Sequence, residues 1–157
     1  MLKSTLLIII LLLPANAFAE ILDFSILSTS KGDMYRSTNL QSQLEKEYNF
    51  SLANGTVLLV ETPSFKNTKY IKQNKALVSW GHEVENLQLI FIISCNESEY
   101  EHGYHTAVNV AKKLNPKNKF RVRFLSINGR VLYESRNPLS QSEIKEILNK
   151  IAATLTS

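Results

Sequence analysis

Phe120-Arg-Val-Arg-Phe-Leu-Ser-Ile-Asn-Gly-Arg-Val-Leu-Tyr-Glu-Ser135 reads as strand, turn and strand, and Ser140-Gln-Ser-Glu143 then opens a helix. In the first strand Phe120, Val122 and Phe124 share one face, and Arg121 and Arg123 share the other. That period of two is the pattern of a sheet with one buried side. Asn128 and Gly129 both tolerate positive φ, so the pair predicts a two-residue type I′ hairpin. Ser140 and Glu143 form a capping box, in which the hydroxyl accepts an amide hydrogen of the first turn and the carboxylate reaches back to the cap. Pro138 stands just outside the helix, where its missing N–H costs nothing. Ile144, Ile147, Leu148 and Ile151 recur at the spacing of one helical face.

Upstream, Thr56-Val-Leu-Leu-Val-Glu61 is a nearly continuous apolar strand stopped by Pro63, and Leu87–Ser94 is a second such run. Strands of this kind suit a sheet covered on both faces. Between them the spacing predicts a helix over Asn67–Trp80, with Tyr70, Ile71, Leu77 and Val78 on one side and Gly81 as its stop. Ala107, Val110, Ala111 and Leu114 mark a further helix, ended by Asn115-Pro116. Nearer the start, Ile21–Leu27 reads as a short strand, Ser28–Thr38 as a loop, and Leu40, Leu44 and Tyr48 as one helix face. Two buried strands joined through a helix predict a parallel βαβ pair. The expected architecture is α/β: a central mixed sheet containing that pair, a C-terminal β-hairpin and a closing helix.

Residues 1–19 have the form of a secretory signal peptide. Lys3 supplies the positive end, Leu6–Leu13 the apolar run, Pro14 the break and Ala17-Phe18-Ala19 the cleavage site. The run is too short to span a bilayer, and no transmembrane segment is expected after cleavage. A periplasmic or secreted location follows, with residues 20–53 as an N-terminal extension and 54–157 as the main domain. Of 18 basic and 14 acidic residues only Lys3 lies in the signal, so the mature charge is +3. Such a weak, dispersed charge excludes nucleic acid as the expected partner.

Val57-Leu-Leu-Val-Glu-Thr-Pro-Ser64, a helix containing Tyr70, and the ending from Phe120 to Ser140 together resemble a family of exported bacterial thioredoxin-like domains of unknown function. The resemblance covers about residues 54–152. It implies a thioredoxin-like fold, with Phe65-Lys-Asn-Thr68 standing where C-x-x-C would be. Dithiol exchange needs two thiols there, the first activated by a helix N-terminus and the second resolving the mixed disulfide. Neither is present, nor is a peroxiredoxin's nucleophilic cysteine.

Three readings of function remain open at this level. The first is an exported, redox-inactive binding module for a protein or small-molecule partner, with no cofactor and with Pro63, Phe65, Lys66, Thr68 and Cys95 as candidate contacts. The second is an enzyme using the lone thiol of Cys95 or a metal near His102 and His105, two imidazoles that a helix would place on one face. The third is a secreted effector acting through the segment before residue 54. Against the second, Cys95 also reads as a small buried thiol, and Gly103 breaks any helix holding the histidines.

Overall fold

Thr56–Thr62 is buried at every residue, as a strand covered on both faces must be. This strand, β3, lies near the middle of a sheet built from β1 (Ser25–Ser28), β2 (Met34–Arg36), β4 (Leu89–Cys95), β5 (Tyr104–His105), β6 (Arg121–Ser126) and β7 (Val131–Ser135). The spatial order is β2-β1-β5-β4-β3-β6-β7. β3 runs parallel to β4, and β4 to β5, while the other neighbours pair antiparallel. The helices are α1 (Leu40–Tyr48), α2 (Thr68–Val78), α3 (Val108–Leu114) and α4 (Gln141–Leu155). This is a computed structural model describing residues 20–28, 32–48, 55–80, 88–100 and 102–155, so the signal segment and Gly81 lie outside the described residues.

Strand alternation divides the core in two. Leu58 and Val60 of β3, Leu89 and Ile93 of β4, and Val122 and Phe124 of β6 face α2 and α4, where Tyr70, Leu77, Ile144, Ile147 and Ile151 meet them. Val57, Leu59, Ile92 and Leu125 face the other way, toward Leu40 and Leu44 of α1 and the partly buried Val110 and Leu114 of α3. The expected parallel βαβ pair, hairpin and closing helix are all present.

The capping box of α4 forms as the sequence predicts. The Glu143 carboxylate accepts from Ser140 N–H at 2.6 Å, and Ser140 Oγ accepts from Glu143 N–H at 3.2 Å. Asn67 caps α2, its Oδ1 accepting from Lys69 N–H and Tyr70 N–H. Gln73 then ties α2 to the entry of α4. Its Oε1 accepts from Leu139 N–H at 2.7 Å and its Nε2 donates to Leu139 O at 3.1 Å.

Several sequence expectations are corrected. The hairpin loop is longer than a two-residue turn, for Gly129 N–H donates to Ser126 O and Ser126 N–H to Arg130 O, and of the pair only Gly129 has positive φ. That pattern is a tight turn followed by a left-handed glycine. Ile71 and Val78 do not join the buried side of α2; they are 53% and 68% exposed, and Gln73 takes a buried place instead. The stretch Ser28–Thr38 contains β2 rather than loop alone, because Tyr35 can bury its ring while pairing with Ile26. His105 lies in β5, so His102 and His105 do not share a helix face. The face of β6 carrying Arg121 and Arg123 is not solvated, since both guanidinium groups meet a buried carboxylate from β3.

Candidate functional site at the carboxyl edge of the parallel strands

β3 and β4 end side by side, Thr62 pairing with Cys95. The chain beyond each strand builds the carboxyl edge, where open α/β sheets present their ligand crevices. After β3, Thr62 Oγ1 donates to Ser64 O, Lys66 N–H donates to Ser64 Oγ, and Asn67 N–H donates to Ser64 O. These bonds fold Pro63–Asn67 into a turn that delivers the chain into α2. Phe65 packs on Tyr70 and Tyr100, with ring centroids 5.3 Å and 5.7 Å apart. Lys66 and Thr68 are exposed, and Pro63 is half-buried.

Cys95 is 1% exposed, and its Sγ lies 3.9 Å from Ser98 Oγ. Its neighbours are aromatic: burial, then the fields of Tyr100 and Cys95, push the Tyr70 hydroxyl far above its ordinary range. His102 is exposed and His105 buried, with no hydrogen-bond partner for His105 Nδ1. Among the described residues no group of three or more His, Cys, Asp or Glu side chains is placed to hold a metal ion.

Two features of this edge went unread in the sequence. The first is a buried ion-pair cluster under the turn. Glu61 is fully buried. Arg121 binds it through Nε at 2.9 Å and Nη2 at 3.0 Å, and Arg123 through Nε at 2.8 Å and Nη2 at 2.7 Å. Two guanidinium forks on one carboxylate leave one positive charge over, and carboxylates at the rim answer it. Glu20 approaches Arg123 at 3.8 Å and Glu134 approaches Arg121 at 3.7 Å. Burial opposes the Arg121 charge, but the Glu61 hydrogen bond and the fields of Glu61, Glu134 and Glu20 outweigh it and raise the pKa of Arg121. Arg121 also donates to Leu114 O at 2.9 Å, anchoring the end of α3.

The second is a cavity of about 680 Å³ beyond β4, lined by Asn96, Glu97, Val108, Lys112, Asn115, Pro116 and Asn118. Its wall is a network of amides. Asn96 Nδ2 donates to Asn115 O at 3.1 Å and to Asn118 Oδ1 at 2.8 Å, and Asn115 Nδ2 donates to Lys119 O at 2.7 Å. Asn96 Oδ1 is buried and accepts no hydrogen bond. A buried acceptor left unpaired costs about 1–3 kcal/mol. The sequence signal was faint: asparagines at 96, 115 and 118 punctuate loops, and only the fold brings them together.

No protein-family model matches the chain, and no curated protein matches it in sequence. Solved structures match it in shape. The pneumococcal exposed lipoprotein thioredoxin of Streptococcus pneumoniae superposes with a TM-score of 0.54 at 10% identity, over 82% of this chain and 99% of that one. The reduced 2-Cys peroxiredoxin of Plasmodium vivax gives 0.56 at 12% identity, over 88% and 94%. The copper-bound ScoI of Arabidopsis thaliana gives 0.50 at 8% identity, over 87% and 98%. At such identities the likeness establishes the fold alone, and that fold is thioredoxin-like.

Proposed function

We propose that this protein is an exported binding module on a thioredoxin-like scaffold, without dithiol chemistry, that takes a small polar ligand at the carboxyl edge of its parallel strands. The observation that carries this reading is the occupancy of the turn after β3. Phe65 is packed between aromatic rings, and Asn67 Oδ1 already accepts from two amides of the first turn of α2. A helix N-terminus activates a thiolate through such donors. Here they serve a side-chain cap, and no thiol stands among residues 63–68. Cys95 is buried near the Tyr70 hydroxyl, an environment that favours an inert thiol.

The amide-walled cavity supports the binding half of the reading. It combines asparagine side chains with one cation and one anion, Lys112 and Glu97. Those groups suit a molecule with an N–H or O–H donor and a charged end. The test is a thermal-shift screen of the mature protein against amino acids, amides, short acids and sugars. A hit is expected to raise Tm in the parent and to lose its effect in Lys112→Glu. Shifts that survive Lys112→Glu and Glu97→Lys, or no shift at all, would sink the cavity reading. Reduction of insulin disulfides by the parent would sink the non-redox reading. Export is checked separately: the amino terminus recovered from the periplasmic or culture fraction should be Glu20.

A further inference from the structure

Asn128 and Gly129 at the tip of the β6–β7 hairpin carry the parts of a spontaneous reaction. An asparagine deamidates when the backbone nitrogen of the next residue attacks its side-chain carbonyl, and a glycine there has no Cβ to hinder the approach. The Gly129 nitrogen would lose its proton and bond to Asn128 Cγ, closing a succinimide ring. The bond from Cγ to the side-chain nitrogen breaks, and ammonia leaves. Water then opens the ring at either carbonyl, giving aspartate or an isoaspartate whose backbone is one methylene longer.

The electrophile is unrestrained. Asn128 is exposed, and its side-chain amide makes no hydrogen bond among the described residues. The nucleophile is held on both sides. Gly129 is buried, its N–H donates to Ser126 O at 2.9 Å, and its carbonyl accepts from Leu22 N–H at 2.8 Å. Val131 N–H donates to Glu20 O at 2.9 Å, a second rung between the hairpin and the N-terminal segment. A Cβ on Gly129 would lie 2.6 Å from Leu22 O and 3.5 Å from Ser37 O, so that segment rests directly on the glycine. Ser37 in turn clasps the segment. It is 3% exposed, its Oγ donates to Leu22 O at 2.6 Å and accepts from Phe24 N–H at 2.9 Å, and its N–H donates to Phe24 O at 3.0 Å.

We infer that Asn128 is a conditional modification site, closed while residues 20–24 are docked on the hairpin and opened when they leave. Deamidation proceeds from the locally opened hairpin, so its rate is the opened fraction multiplied by the rate of an unconstrained chain. The change runs one way. Isoaspartate adds its methylene next to Gly129, where Leu22 and Ser37 leave no room, so the segment does not regain its register. A transient release of the N-terminal strand is thereby made permanent.

The experiment incubates the mature protein in mildly alkaline buffer and follows its tryptic peptide Phe124–Arg130, which contains Asn128, by chromatography and mass spectrometry. The same peptide made synthetically gives the unconstrained rate. The parent is expected to react at least about tenfold more slowly than the peptide, as two net hydrogen bonds on the opening equilibrium would dictate. Ser37→Ala, which leaves the hairpin's own sequence intact, should accelerate the protein about fivefold or more, the effect of about one such bond. Ile151→Ala, in α4 on the other side of the sheet, should leave the rate near the parent's and so separates local release from general destabilisation. The isolated isoaspartyl protein should lose amide protection at Leu22 and keep it at Val122. A parent as fast as the peptide, or a Ser37→Ala variant no faster than the parent, would overturn the inference. So would equal acceleration by Ile151→Ala, or undiminished protection at Leu22 after modification.

Discussion

At the scale of single residues, Glu61 decides most. A carboxylate with no exposure is tolerable only because two guanidinium groups satisfy it in bidentate fashion. Removing it strands two arginines, one of them almost wholly buried. Glu61→Ala should therefore destabilise the protein by about 3–5 kcal/mol, read from denaturant midpoints at unchanged m-value. Replacing all three residues together by apolar side chains of similar volume should restore much of that loss, because it removes the desolvation cost along with the pairing. Tyr70 gives a different signature. Its pKa is raised by burial and then by the fields of Tyr100 and Cys95. The unfolded chain loses this proton near pH 10, before the folded chain does. Stability is thus fully present below about pH 10 and falls as pH rises beyond it. Tyr70→Phe should flatten that alkaline decline in unfolding curves taken across the range. These roles were not legible one residue at a time. Glu61 read as the polar end of an apolar strand, and the arginines as a wet face, because register across strands decides whether such groups meet.

At the scale of elements, the sequence was most informative where local chemistry dominates. The capping box, the isoleucine stripe of α4 and the two apolar central strands all formed as their patterns demand. Periodicity was less informative on α2. Its apolar positions spread over more than one face, and Ile71 and Val78 fell on the solvent side. The hairpin loop shows a related limit. Asn-Gly permits several turns, and the contact with the chain near Leu22 accompanies the one observed. Gly129 holds φ +84, and a Cβ there would sit 2.6 Å from Leu22 O. Gly129→Ala should cost more than about 1 kcal/mol and displace the Leu22 segment, visible as lost amide protection at Leu22, whose N–H donates to Gly129 O.

For the whole molecule, the N-terminal residues belong to the same sheet and core as the rest. Glu20 O accepts from Val131 N–H, Leu22 and Phe24 are buried, and β1 pairs with β5. Deleting residues 20–24 should remove about 1.5–3 kcal/mol for each of Leu22 and Phe24 and take Glu20 from Arg123, lowering Tm while leaving the far-UV spectrum near that of the parent. The amino-acid sequence by itself determined the class of fold: local caps, turn residues and the alternation of buried strands are properties of neighbouring residues, and they sufficed for the βαβ pair, hairpin and closing helix. It also determined that the turn after β3 carries no thiol. Only the tertiary structure decided what lies at the carboxyl edge. The Glu61–Arg121–Arg123 cluster joins residues about sixty positions apart, and the Asn96–Asn115–Asn118 wall joins two loops. Such contacts depend on strand order and register, which are set by the burial of the entire core and leave no mark on any short stretch of chain.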